Sequence, residues 1–254
     1  MQIIDRTQAG GVLAPQSCQY IPRGGKAETR TEPVLRETLL TVTVNGQKAW
    51  RIVCLAEHLP ELVLGRLLTE GVITAAEDVM RLELRADGTA ASELRMAAEA
   101  EDEPVLSAGI GVNAKPLPRL ESIPWRAEWI FALADRFAEG MPLHEATFAT
   151  HSALLGSGGR LLFACEDIGR HNALDKAVGF ALRNDIPLGG CYLYSSGRIP
   201  TDMVSKAIRA GVPILASKAA PTAEAAELAR ERGLTLICAA RRDRMKLLCG
   251  RAPE

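Results

Sequence analysis

Aromatic residues are scarce, only 4% of the chain, so any core must be mainly aliphatic. A dominant charge is missing too. Acidic and basic side chains nearly cancel, leaving a net charge of −1. That excludes the whole-molecule basic field of a nucleic-acid binder and confines any anion site to a local patch. No apolar run is long enough to span a bilayer. Met1 to Gly10 mixes acid, base and amide residues without the apolar stretch of a secretory signal. The expectation is a cytoplasmic protein with no membrane contact.

The six cysteines form no Cys-x-x-Cys pair, and their scatter is not a disulfide framework. Cys54, Cys165, Cys191 and Cys238 sit in apolar strand-like runs, the setting of buried small hydrophobes. The histidines, His58, His144, His151 and His171, lack zinc-like spacing to cysteines, so no metal is expected. A P-loop, a Gly-x-Gly-x-x-Gly opening a βα unit and a Gly-x-Ser-x-Gly elbow are all missing.

At 254 residues, 47% of them hydrophobic and 24% charged, the chain is an ordinary globular one of one large domain or two small ones. Residues 1–30 show little periodicity, and most of them read as a loosely ordered arm with one strand. Residues 31–120 read as an α+β part rich in strands: Val34 to Val44 is strand-like, Asn45-Gly46 is a hairpin turn, and Lys48 to Leu55 returns. His58 to Glu70 has helical spacing and stops at Gly71. A second hairpin is expected around Ala86-Asp87-Gly88-Thr89. Ala97 to Pro118 reads as a long connection containing Ser107-Ala108-Gly109-Ile110-Gly111.

Residues 121–254 begin with an amphipathic helix over Pro124 to Glu139, with Trp125, Trp129, Leu133 and Phe137 on one face. Strands and helices then alternate. Strands are expected at Leu161–Cys165, Cys191–Tyr194, Pro213–Ala216 and Leu234–Ala239, with another at Met245–Cys249. Helices are expected at Arg170–Arg183, Thr201–Ala210 and Thr222–Arg232. Gly156-Ser157-Gly158-Gly159 reads as a turn between strands. The alternation predicts a mostly parallel sheet in a three-layer α/β sandwich.

Polar clusters follow each expected strand: Glu166 to Lys176, Ser195 to Arg198, Ser217 to Thr222 and Arg241 to Arg244. Ligands of open parallel sheets bind beyond the carboxyl ends of the strands, so the clusters predict one shared site. Gly169 permits a sharp turn or a close approach. His171 and Asp175 share a helix face, as do Asn172 and Lys176, so Asp175 is expected to orient a proton-exchanging His171. Ser195-Ser196-Gly197 before a helix resembles an anion cradle of free amides, with Arg198 adding bidentate recognition. Simpler readings stay open. Asp167 only caps a helix, His171 and Asp175 form a structural pair, Thr222 is an N-cap, or Arg241 to Arg244 is a solvated turn.

The run Glu166-Asp167-Ile168-Gly169-Arg170-His171-Asn172-Ala173-Leu174-Asp175-Lys176 resembles the hallmark of the formate dehydrogenase accessory proteins, the FdhD/NarQ family. The similarity continues through Tyr194 to Ile199, Met203-Val204 with Lys206-Ala207, Gly211-Val212-Pro213 and Ala220 to Ala223, and upstream through Leu64 to Ile73. The resemblance implies a cytidine-deaminase-like α/β/α fold without the deaminase zinc, usually as a homodimer. It implies a sulfurtransferase that takes persulfide sulfur from a cysteine desulfurase and passes it to a bis-guanine-dinucleotide molybdenum cofactor bound for formate dehydrogenase. With the strand-end clusters, it marks Glu166, Asp167, Gly169, Arg170, His171, Asn172, Asp175, Lys176, Ser195, Ser196, Gly197, Arg198, Ser217, Arg241 and Arg244 as residues for that cofactor or a guanine nucleotide.

This chain departs from the family at three places. The sulfur-carrying Cys-x-x-Cys aligns with Ala108 and Gly111, neither of which has a thiol, and a persulfide needs one. The family's Thr-Gly-Gly before the histidine is Thr147-Phe148-Ala149 here, ahead of His151. In the cofactor segment Arg241 and Arg244 remain, while Cys238 and Ala239 replace Gly and Phe. No catalytic residue follows from the pattern, and Cys238 is the alternative thiol. A non-catalytic binding module and an unrelated phosphate enzyme using His171 and Asp175 are the other readings.

Overall fold

Residues 1–7, 11–95 and 116–254 are described by the computed structural model. The first part contains β1 (Gln2–Asp5), β2 (Leu13–Tyr20), β3 (Glu28–Leu35), β4 (Thr38–Val44), β5 (Gln47–Cys54), α1 (Leu59–Thr69), β6 (Val79–Leu84) and β7 (Thr89–Leu94). Five of these strands form a mixed sheet in the order β1-β6-β7-β4-β5. Asn45 and Gly46, at φ 49° and 82°, make the primed turn whose twist matches a hairpin. Leu40, Val42 and Val44 of β4 and Trp50, Ile52 and Cys54 of β5 alternate onto one buried face.

The reading of residues 1–30 as a loose arm is corrected here. Gln2–Asp5 pairs in parallel with β6, and β2 pairs with β3 along its whole length. Both strands of that ribbon are largely solvent-exposed. A ribbon wet on both faces has no apolar alternation for periodicity to detect. Val34–Val44 is likewise not one strand, because the chain breaks at Arg36-Glu37 between two different sheets. The expected connection around Ala108 and Gly111 lies outside the described residues.

The second part comprises α2 (Ala127–Ala138), α3 (Pro142–Thr147), β8 (His151–Ser157), β9 (Arg160–Asp167), α4 (Arg170–Arg183), β10 (Cys191–Ser195), α5 (Thr201–Arg209), β11 (Ile214–Ser217), α6 (Ala223–Arg232), β12 (Thr235–Cys238) and β13 (Lys246–Cys249). Its sheet runs β13-β12-β11-β10-β8-β9. β10, β11 and β12 are parallel. β8, implied by the Gly156–Gly159 turn but given no bounds in the sequence reading, is inserted antiparallel between β10 and β9, and β13 closes the other edge antiparallel. The sheet is therefore mixed, yet β9, β10, β11 and β12 still point the same way. Thr222 caps α6 by accepting from the Ala225 amide.

Pleating splits the apolar residues between two faces. Leu154, Tyr192, Tyr194, Ile214, Ala216 and Ile237 meet α2 and Trp125 on one side. Trp125 lies just before the helix, which starts at Ala127, and the stripe proper is Ile130, Leu133 and Ala134. On the other side Leu155, Leu193, Leu215 and Leu236 join α4, α5 and α6, and this cluster runs on without a gap into α1 and the five-stranded sheet.

The junction is a helix crossing. Every residue of α1 is buried, because the five-stranded sheet covers one side and α4 the other. Gly65 and Gly179 make the approach possible. A methyl at Gly65 would overlap the Asp175 carbonyl, and one at Gly179 would overlap the Glu61 carbonyl. Backbone cannot yield as a flexible side chain does. Gly65→Ala and Gly179→Ala are each expected to cost about 1–3 kcal/mol or more, measured by urea unfolding; a neutral effect at both positions would contradict this crossing.

Candidate functional site

Most of the polar run from Glu166 to Lys176 faces inward. Asp167 is fully buried, and its carboxylate accepts from the amides of Leu55 (3.1 Å) and Gly169 (3.1 Å) and from the Asn172 side chain (2.9 Å). The equally buried Lys176 ammonium pairs with it at 2.7 Å and also donates to the Glu166 and Leu55 carbonyls. Asn172 donates to the Val53 carbonyl. Asp167 is thus more than a helix cap: it ties the end of β5 to the start of α4. Gly169 is the N-cap of α4 in extended geometry, and what approaches it closely is the Asn172 side-chain amide.

Asp175 serves a second buried cluster. Its carboxylate accepts from Thr69 (2.7 Å) and Lys206 (2.9 and 3.0 Å), and Arg66 lies at 3.7 Å. Lys206 and Arg66 both pair with Glu70. Two carboxylates face two cations, so the cluster is neutral and tolerable out of water. The expected His171–Asp175 partnership is corrected by this geometry. His171 Nε2 lies 2.7 Å from Asp202 Oδ2 at the start of α5, because Asp175 points into the α1 contact instead. Burial works to raise the Asp202 carboxyl, but the His171 ring and its hydrogen bond outweigh that and hold it below the ordinary carboxylate range.

Glu166 points to the opposite face from its neighbour, as successive strand residues do. Its carboxylate accepts from the Leu143 and His144 amides (2.8 Å each) and the Thr150 hydroxyl (2.7 Å). It thereby fixes α3 against β8. His151, the first residue of β8, lies 3.4 Å from the Ser196 hydroxyl, which accepts from the Ser152 amide.

The serine turn is not the free-amide cradle expected. The Ser196 amide donates to the Ser152 carbonyl and the Gly197 amide to the Ser195 hydroxyl, and α5 begins only after Pro200. Ser217 donates to the Gly197 carbonyl and accepts from the Ala219 amide. These serines shape the loop. A Cβ at Gly197 would press on Arg170 and on His151 Nδ1, so glycine lets those side chains lie against the backbone.

What faces outward is cationic. Arg170 follows β9, Arg198 follows β10, Lys218 follows β11, and Arg241 and Arg244 follow β12. All are exposed except Arg170, which is half-buried, with its Nε enclosed and without a hydrogen-bond partner. Arg244 pairs with Asp243 on the surface, and Lys218 lies over the Phe137 ring. Burial lowers the proton affinity of His151, and the neighbouring positive charge of Arg170 lowers it further. The arrangement offers cations for an anion, a histidine biased toward its neutral form, and a carboxylate-bound histidine. Cys238 is not a natural nucleophile beside it. Its side chain is buried, and burial pushes the thiol up, which leaves little thiolate at neutral pH. Among the described residues, no group of three or more His, Cys, Asp or Glu is disposed to hold a metal ion.

Thr150, His151 and Asp202 were missed as contributors, and Lys218 lay within the Ser217 to Thr222 cluster without being singled out. The signal for the first two was the apolar run Ala153-Leu154-Leu155 before the Gly158-Gly159 turn, which marks a strand whose start lies level with the other strands' ends. Asp202 gave none, since its partner is distant in sequence.

The FdhD/NarQ family model matches residues 35–252. A sulfur carrier protein FdhD from Bacillus pumilus is 33% identical over 231 residues, covering 85% of this chain and 87% of that protein. One from Bordetella bronchiseptica is 34% identical over 238 residues, 85% of each chain. A crystal structure of a Desulfotalea psychrophila protein assigned as a formate dehydrogenase accessory protein superposes with a TM-score of 0.77 at 25% identity, covering 93% of this chain and 96% of that one. No helix among the described residues is long and apolar enough to cross a membrane.

Lys176→Met leaves the Asp167 carboxylate buried without its counter-charge and is expected to cost about 3–5 kcal/mol, read from urea unfolding. A second expectation concerns pH. His151 and His58 are both held below their ordinary value of 6.5, chiefly by burial. Each stays neutral in the fold where the unfolded chain takes up a proton. Their contribution is complete above that value and is lost as pH falls below it. The unfolding midpoint should drop as pH falls below about 6.5, and His151→Gln should flatten that drop; an unchanged slope would remove His151 from the linkage.

Proposed function

This chain belongs to the FdhD/NarQ family, and on that footing we propose that it acts as a formate dehydrogenase accessory protein whose cargo is the bis-guanine-dinucleotide molybdenum cofactor. The observation that carries the reading is the row of cations after β9, β10, β11 and β12, with the Arg170 Nε enclosed and unpartnered. A dinucleotide brings several phosphate charges, and guanidinium groups meet phosphate with paired hydrogen bonds. Arg170, Arg198, Lys218, Arg241 and Arg244 would hold the phosphates, while the buried acids behind them keep the loops in place. A cytidine-deaminase-like architecture, a homodimer, a cytoplasmic setting and encounters with a cysteine desulfurase and formate dehydrogenase belong to the same proposal.

The family's sulfur step is the part this chain supports least, and the thiols favour a second reading. Cys54 and Cys165 are pushed up to about 12 by burial, and burial also raises Cys191, Cys238 and Cys249. With Ala108 and Gly111 at the positions the resemblance gives to the family's sulfur, none of these five buried thiols is disposed to carry persulfide sulfur. In this reading the protein holds and delivers the cofactor, or a guanine nucleotide, without carrying sulfur itself.

Two measurements test these readings. Calorimetry with GDP should give binding that weakens about tenfold in Arg198→Ala and in Arg241→Ala, the loss of one charged hydrogen-bonding group; identical heats in all three proteins would sink the cargo reading. Incubation with a cysteine desulfurase and sulfur-labelled cysteine should leave this chain unlabelled. Label on Cys238, or on the half-exposed Cys18 of β2, would restore the carrier role.

A further inference from the structure

Phe148 combines two features that folding alone does not favour. Its ring is 82% exposed, and its backbone sits in the left-handed region at φ 55°, ψ 17°. A bulky side chain there is a genuine outlier, whereas glycine adopts the conformation freely. Its ring–ring contact among the described residues is edge-on to His144, at 5.8 Å and 72°. Burial therefore does not offset the strain, and strain of this kind gathers at functional sites.

The turn that carries Phe148 is rigidly mounted. The Phe148 amide donates to the His144 carbonyl at 2.7 Å, and His144 Nδ1 lies 3.1 Å from the Thr150 carbonyl. Glu166 grips both sides of the turn through Leu143, His144 and Thr150. The chain then passes directly into His151, which lies against Gly197 with Arg170. Phe148 thus stands three residues before the histidine that, with Arg170, lies against Gly197 at the cationic strand ends. Aromatic faces bind nucleobases by stacking, while guanidinium groups bind the phosphates.

We propose that Phe148, backed by His144, is a stacking platform for the purine base of a nucleotide whose phosphates lie on the cationic strand ends. It rests on the nucleotide-cargo reading above and adds a residue that selects for the base. Phe148 acts as a specificity residue: it separates a nucleotide from bare polyphosphate.

The test is calorimetry of the full chain with GDP and, separately, with inorganic pyrophosphate, which has the charge and lacks the base. Phe148→Gly should bind GDP about tenfold more weakly, within the range of one base–aromatic stack, and pyrophosphate unchanged. Phe148→Trp should keep the GDP affinity. The Phe148→Gly melting temperature should be no lower than wild type, because glycine relieves the positive φ. Equal GDP affinity in Phe148→Gly, or equal losses of GDP and pyrophosphate, would overturn the platform. So would a change of oligomeric state in Phe148→Gly with GDP affinity retained, which would make the ring a protein contact. If Arg198→Ala weakens both ligands while Phe148→Gly weakens neither, the platform falls and the cargo reading stands; if wild type binds neither ligand, both fall.

Discussion

The buried pair of Asp167 and Lys176 is the interaction on which the rest of the molecule depends. Both groups are out of water, and such a pair survives only when its remaining donors and acceptors are met. They are met by the Asn172 side chain and by the backbone of two distant segments: Leu55, just past the end of β5, and the β9–α4 turn, at Glu166 and Gly169. The pair therefore fixes where α4 starts relative to the five-stranded sheet. From that placement follow the Gly65–Gly179 crossing, the Asp175 cluster with Thr69, and the direction in which Arg170 and His171 emerge.

Labour within the Glu166–Lys176 run divides by side of the chain. Glu166 braces α3, Asp167 braces β5, and Asp175 braces α1 and α5. Arg170 and His171, the half-buried members, face the cationic edge. The run is thus first a structural device. Most of its polar groups hold two sheets in register, and that requirement is indifferent to whether sulfur is handled. The exposed cations on the following loops take no part in that bracing.

How much could be read from the sequence varied with how locally each feature is encoded. α1, α2, α4, α5 and α6 were legible because apolar spacing, Gly71 after α1 and the Thr222 cap of α6 are local signals. The Asn45-Gly46 hairpin was legible for the same reason. The β2–β3 ribbon was not, because wet faces leave no pattern. β8 was not delimited because its apolar run reads like any buried segment until β9 and β10 flank it. In the candidate site, the strand-end clusters do fall at one edge of the sheet, since β9, β10, β11 and β12 run the same way. The pairing of His171 was misassigned because i,i+4 proximity is visible in a sequence, whereas Asp202 becomes a neighbour only after α5 has packed. The serine turn was misread because its amides are consumed by partners on β8 and within the loop itself.

The burial of α1 on every side has a consequence for how the chain comes into being. A ribosome releases α1 long before α4, and among the described residues of the first part nothing covers the face that α4 will take. Until some hundred further residues have emerged, that apolar face stays wet, and the early sheet carries a helix it cannot finish burying. The lag is written into chain order: the lock at Asp167 arrives after the door it closes. For the newborn chain, the interval between α1 and α4 is the period of greatest exposure to aggregation and of greatest reliance on whatever shields nascent chains.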